Sequence, residues 1–182
     1  MPRPPSAMRR QILGSALRLF AEHGFKGTSL HDIAVEARCS KASLLYHFAG
    51  KDAILTELLT PPAESLSAMV EELSVLEGGR AVEPAVTGYV GLAMRFHLEV
   101  KIIFAELPDM LGHPVLAVIP RAVDQLAAAL AGRSEEPGAR VRAQMVIGGV
   151  AVTVAADVDV EPDTMRAELV QGALRTLGHQ TG

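Results

Sequence analysis

Apolar side chains recur three and four residues apart along almost the whole chain, and no stretch of strict alternation closes on an Asn-Gly or Asp-Gly turn. The pattern predicts an all-α fold. Ile12, Leu13, Ala16, Leu17 and Phe20 form one face of a first helix that starts after Ser6 and stops at Gly24, with Lys26 and Gly27 as the connection. Ser29 is placed to cap a second helix reaching about Ala37, with Ile33, Ala34 and Ala37 inward and Asp32 in the first turn. Arg38-Cys39 then makes a tight turn, where Cys39 reads as a small buried residue, and Ser40 caps a short helix from Lys41 to about Phe48. Helices joined by so few residues cross steeply, which is the arrangement of a helix-turn-helix.

Gly50 opens a fourth helix through Ile54, Leu55, Leu58 and Leu59. It meets Pro61-Pro62, where a kink or restart is expected, and ends near Gly78-Gly79. Further helices are expected at about 83–98, 99–110, 114–131, 138–157 and 162–177. The natural division falls near 50–60, giving a three-helix head, 1–50, and a larger helical body, 51–182.

Charge sharpens this division. The net charge of -4 over 182 residues argues against nucleic-acid binding only as an average. Residues 1–51 carry eight Lys/Arg against three Asp/Glu, a net +5, and residues 52–182 carry nine against eighteen, a net -9. A basic head on an acidic body points to contact between the head and nucleic acid. One cysteine, and no asparagine to accept a glycan, fit a reducing cytoplasm. The longest apolar run, 145–156, is short of the roughly 20 residues that span a bilayer, so no membrane partner is expected.

The second helix of a helix-turn-helix enters the major groove while the first braces it. On 41–48, Leu44 and Phe48 are spaced to face inward and Lys41, Ala42, Leu45 and Tyr46 outward. Small apolar side chains can read the thymine methyl group, and Lys41 offers a donor to guanine or phosphate. Ser43, Tyr46 and His47 bring further donors, and Lys51, in the first turn of the fourth helix, is a candidate phosphate contact. Thr28 and Ser29, with Ser40, complete the candidate contacts at helix starts. Arg3, Arg9 and Arg10 read either as a solvated tail or as an arm laid along phosphates.

The segment TSLHDIAVEARCSKASLLYHFAGKDAIL, 28–55, is similar to the DNA-binding domain of TetR-family transcriptional regulators, and AEHGF, 21–25, resembles that domain's usual ending of its first helix. The resemblance covers roughly 8–59. It implies a homodimeric, ligand-controlled repressor whose two heads read the halves of a near-palindromic double-stranded operator while the body binds a small inducer. Two departures stand out. Arg38 occupies a turn position usually held by glycine, so a positive φ would be strained there. Leu45 stands where the family usually has tyrosine, which favours an apolar base contact.

In the body, Met69, Met94, Phe104, Met110 and Met145, with Arg95, His97 and His113 as polar anchors, are the candidates for lining an effector pocket. Val141, Met145, Gly148, Gly149 and Val152, with Met165, Leu169 and Ala173, are the expected faces of a two-fold four-helix interface. His97, Glu99, Glu106, Asp109 and His113 lack tight metal-ligand spacing, and no phosphate-cradling loop or nucleophile motif appears, so neither metal, cofactor nor catalysis is expected. Two alternatives stay open: a helical small-molecule sensor without operator binding, and a small helical enzyme.

Overall fold

The computed structural model describes residues 7–105, 112–156 and 158–179. Among these there are nine α-helices, two short 3-10 turns and no strand. α1 spans Ala7–Gly27, α2 Leu30–Glu36, α3 Lys41–His47 and α4 Lys51–Ser74. A 3-10 turn at Gly78–Ala81 leads into α5, Val82–Arg95, and α6, His97–Ala105. A second turn at Pro114–Leu116 precedes α7, Ile119–Leu130, followed by α8, Pro137–Ala155, and α9, Pro162–Thr176.

The sequence places the break in α1 at the right residue. Gly24 adopts φ 77°, which a side chain would resist, and the chain turns there so that Phe25 packs edge-on against Phe20, centroids 5.2 Å apart. Other boundaries differ. α4 passes Pro61 and Pro62 without a restart and ends at Ser74, short of Gly78. The prolines deprive the Glu57 and Leu58 carbonyls of their helical donors, yet Leu58 and Leu59 before the pair and Ala63 and Leu66 after it are all buried. That continuous packing keeps α4 helical. Its far end is fixed by Arg133, which donates to the Leu76 carbonyl at 2.9 Å and the Leu73 carbonyl at 2.8 Å.

Two hydrophobic clusters result. The head cluster is built on Ile12, Phe20, Ile33, Leu44, Phe48 and Leu55, and extends along α4 as far as Leu59. It also takes in Ile102 of α6 and Leu116, so elements of the body pack directly beneath the head. The body cluster is mostly alanine and valine, contributed by α4, α5, α7, α8 and α9. α6 lies between the two, packed on α1 and α8.

Candidate nucleic-acid interface

The angle between α2 and α3 is set by backbone hydrogen bonds that short polar side chains complete. Ser29 Oγ accepts from Asp32 N at 3.2 Å, and Asp32 Oδ2 accepts from Ser29 N at 2.8 Å, a reciprocal cap at the start of α2. The bond to the Ser29 side chain, with that to its backbone, holds the Asp32 carboxyl below the usual carboxylate range. α2 then closes with Arg38 N on the Val35 carbonyl and Cys39 N on the Ala34 carbonyl. This closure puts Arg38 at φ 50°, the positive value expected at the position where glycine is usual. Cys39 is half-buried rather than fully enclosed. Ser40 Oγ accepts from Ser43 N at 3.0 Å and starts α3.

α3 presents its two faces as its spacing predicts. Leu44 and Phe48 are buried; Lys41 and Ala42 are exposed, Leu45 is 44% exposed and Tyr46 86%. Ser43 and His47 are half-buried, and the His47 ring meets Tyr46 edge-on at 5.2 Å. Ser29 and Ser40 are exposed at the two helix starts. The Ser40 oxygen accepts from its own helix, which leaves its hydroxyl hydrogen to donate outward, whereas the Ser29 hydroxyl is engaged with the Asp32 carboxylate.

Two of the candidate phosphate contacts have internal duties instead. Thr28 is 2% exposed, and its hydroxyl is directed at the Gly24 carbonyl, 2.9 Å, and the Leu19 carbonyl, 3.2 Å, closing the end of α1. Lys51 Nζ donates to the Phe25 carbonyl at 2.5 Å and the Thr28 carbonyl at 2.8 Å, and sits 4.4 Å over the Phe25 ring. An ammonium so held braces α4 against the α1–α2 connection.

Arg9 is neither a solvated tail nor a free arm. Its guanidinium grips both Glu57 carboxylate oxygens, donates to the His47 carbonyl at 2.5 Å and stacks 4.2 Å over Phe48, joining α1, α3 and α4. The sequence carried a signal for this. Arg9 lies one turn before Ile12, Ala16 and Phe20, on the same helical face.

The expected effector residues do not converge. A cavity of about 230 Å³ lies between α4, α5, α6, α7 and α8, and of the expected set only Phe104 lines it. Met69 fills the close approach of α4 to α5, where a Cβ on Gly88 would meet its sulfur at 2.9 Å. Met94 and His97 border a separate surface pocket with Val154, Val158 and Met165, and Arg95 stacks on Phe96 at 4.9 Å. His113 Nδ1 accepts from Val115 N at 3.3 Å and caps a 3-10 turn. Met145 is on the outer face of α8, and Met110 lies outside the described residues. The cavity is lined instead by Tyr89 and by Leu59, Ile103, Leu116 and other aliphatic residues that read in sequence as ordinary core. Among the described residues no three His, Cys, Asp or Glu side chains cluster as metal ligands, and no helix is long and apolar enough to cross a membrane.

On α8, Val141, Met145 and Val152 are each more than half exposed, and Gly149 lies on the same open face with Gly148 beside it. On α9, Met165 and Leu169 are half-buried, but Ala173 is 6% exposed in the body cluster and is unavailable to a partner.

A family model described as "Bacterial regulatory proteins, tetR family" matches residues 12–58, the span from the first buried residue of α1 to the first half of α4. The HTH-type transcriptional regulator RutR of Escherichia coli (strain K12) is 30% identical over 149 residues, covering 82% of this chain and 67% of RutR. IcaR of Staphylococcus aureus (strain Newman), the HTH-type negative transcriptional regulator of the biofilm operon icaADBC, is 47% identical over 47 residues, 26% of this chain and 25% of IcaR. The ketosteroid transcriptional regulator KstR2 of Mycobacterium tuberculosis has a TM-score of 0.76 at 21% identity, covering 96% of this chain and 95% of KstR2, a likeness of fold. With a capped helix-turn-helix, a helical body and a 30% identical relative spanning most of it, the chain belongs to the TetR family of DNA-binding transcriptional regulators, which are not enzymes.

Proposed function

We propose that this regulator is a cytoplasmic homodimeric repressor released from a near-palindromic double-stranded operator by a small-molecule effector. The observation that carries the reading is the outward face of α3. Lys41, Ala42, Leu45 and Tyr46 are exposed on a helix whose other side is locked into the head core, beside the exposed Ser40 hydroxyl. Ala42 and Leu45 suit thymine methyl groups, Lys41 a guanine edge or phosphate, and Tyr46, Ser43 and His47 the flanking backbone. The +5 of residues 1–51 and the -9 of residues 52–182 orient the molecule, because the acidic body repels DNA except beneath the heads.

The working division is a head of 1–50 and a regulatory body of 51–182, with α4 crossing between them. The outer face of α8 supports pairing of two bodies. A Cβ at Gly148 or Gly149 would meet nothing within 4 Å in this chain, so these helix-weakening residues serve no internal packing. They leave room for a partner's backbone to approach, flanked by Val141, Met145 and Val152, with Met165 and Leu169 at the margin. Two recognition helices then need a separation of about 34 Å to enter successive major grooves. The cavity supports effector control, since Leu59, Ile103, Leu116 and Ile119 both line it and belong to, or pack against, the head cluster. An occupant that favours another arrangement of this wall weakens operator binding by its differential affinity for the two arrangements.

The test is selection of bound sequences from a random DNA pool, followed by gel-shift titration across salt concentrations. A two-fold-related motif and an affinity falling linearly with salt on logarithmic axes are expected. Binding with no sequence preference at any salt would sink the proposal.

A further inference from the structure

The body cavity identifies the chemistry of its occupant. Among the described residues that line it there is no charged side chain. The one polar side chain is Tyr89, whose hydroxyl already donates to the Ile147 carbonyl at 2.9 Å and whose pKa is pushed far up by burial. α7 begins at the cavity wall with Ile119-Pro120, and the proline removes one of the free N–H groups a helix start would otherwise offer to an anion. A buried carboxylate, phosphate or ammonium would therefore meet no charged partner among the described lining residues, and burying an unpaired charge is far more costly than burying hydrocarbon.

We propose that this cavity takes an uncharged, wholly apolar compound of roughly nine or ten carbons. The size follows from volume: an apolar cavity of about 150 Å³ holds benzene, and 230 Å³ scales to about nine carbons. Phe104, partly exposed at the end of α6, marks the side open to solvent. This class rests on the reading of the cavity as the effector site, and it deepens that reading with a chemical identity.

The experiment compares two molecules of nearly equal shape, n-butylbenzene and phenylbutyrate, titrated calorimetrically into the full chain at neutral pH. Butylbenzene binds at least about a hundredfold more tightly, because the acid must enter protonated and its neutral fraction at pH 7 is below about one per cent. Phenylbutyrate affinity rises about tenfold for each pH unit lowered toward its own pKa. Ala151→Leu and Val123→Phe each fill the cavity from a different helix, and each weakens butylbenzene binding at least about tenfold while the chain melts no lower than the parent. Two variants guard against one failing to fold.

Equal or tighter binding of phenylbutyrate at neutral pH overturns the proposal. So does butylbenzene binding that survives in both folded variants, or absence of binding by either compound. Parallel gel shifts separate this class from the regulatory reading. Butylbenzene that occupies the cavity without releasing DNA upholds the class and sinks effector control. A charged compound that releases DNA, with no butylbenzene bound, does the reverse.

Discussion

In the head, α2 and α3 begin at Ser29 and Ser40, each with a side-chain oxygen accepting a backbone N–H, whereas in the body α7, α8 and α9 begin with Pro120, Pro137 and Pro162 and no side-chain cap. A serine cap contributes about 0.5–2 kcal/mol and adds a directional bond, while proline pre-sets φ and adds none. The cores differ in the same sense. Phe20 and Phe48 sit among large aliphatic residues in the head, and alanines and valines dominate the body, where the cavity lies. A helix that must meet base edges has to be held within about 0.5 Å, so the head uses directional bonds and large interlocking side chains. The body cluster interlocks less, being built on smaller side chains, and a cavity remains beside it.

The largest expected effect tests whether these regions are energetically separate. Phe20→Ala removes a fully buried ring and should destabilise the chain by about 3–5 kcal/mol. Because Leu59, Ile102 and Leu116 join the head cluster, the variant should still melt in one cooperative transition followed by circular dichroism and calorimetry alike. A low-temperature head transition followed by an unshifted body transition would break the picture of a shared wall.

A smaller effect sharpens the role of Lys51. Replacing it with alanine removes two hydrogen bonds to carbonyls and the contact over Phe25, and should cost about 1–2 kcal/mol in urea unfolding. As an internal brace it should leave the salt slope of operator binding unchanged, whereas loss of a phosphate contact lowers that slope by about one. A reduced slope with unchanged stability would return Lys51 to the DNA interface.

The head was legible because each of its signals is local. Ser29 with Asp32, Ser40, Gly24 and the stripe from Ile12 to Phe20 act within one or two turns, and the structure places them as the sequence predicts. What escaped was long-range. Arg9 meets Glu57 across 48 residues, and Lys51 meets Phe25 across 26, so basic residues that look available in sequence are engaged in the fold. The cavity escaped for another reason. Its wall is mostly leucine, isoleucine and valine at ordinary helical spacing, and nothing in a one-dimensional pattern separates a side chain facing a void from one facing a neighbour. Methionine and histidine drew attention by chemistry, yet Met69 packs on Gly88 and His113 caps a turn.

The finest test compares two arginines with nearly the same positive φ. Arg38, in the head, has φ 50°, and Arg133, in the body, has φ 57°. Both should favour glycine on backbone grounds alone, since the left-handed region costs a non-glycine residue about 1–2 kcal/mol and glycine returns about 0.4–1 kcal/mol to the unfolded chain. Arg38→Gly should therefore stabilise the protein by about 0.5 kcal/mol, seen as a higher urea midpoint at unchanged slope. Arg133→Gly should instead destabilise it by about 1 kcal/mol, because the guanidinium bonds to the Leu73 and Leu76 carbonyls at the end of α4 are lost. Opposite signs at matched φ would show that the body retains its strained residue for the cap that its side chain places on α4. Stabilisation at both positions would mean that those two bonds contribute nothing, and that α4 is anchored by its packing alone.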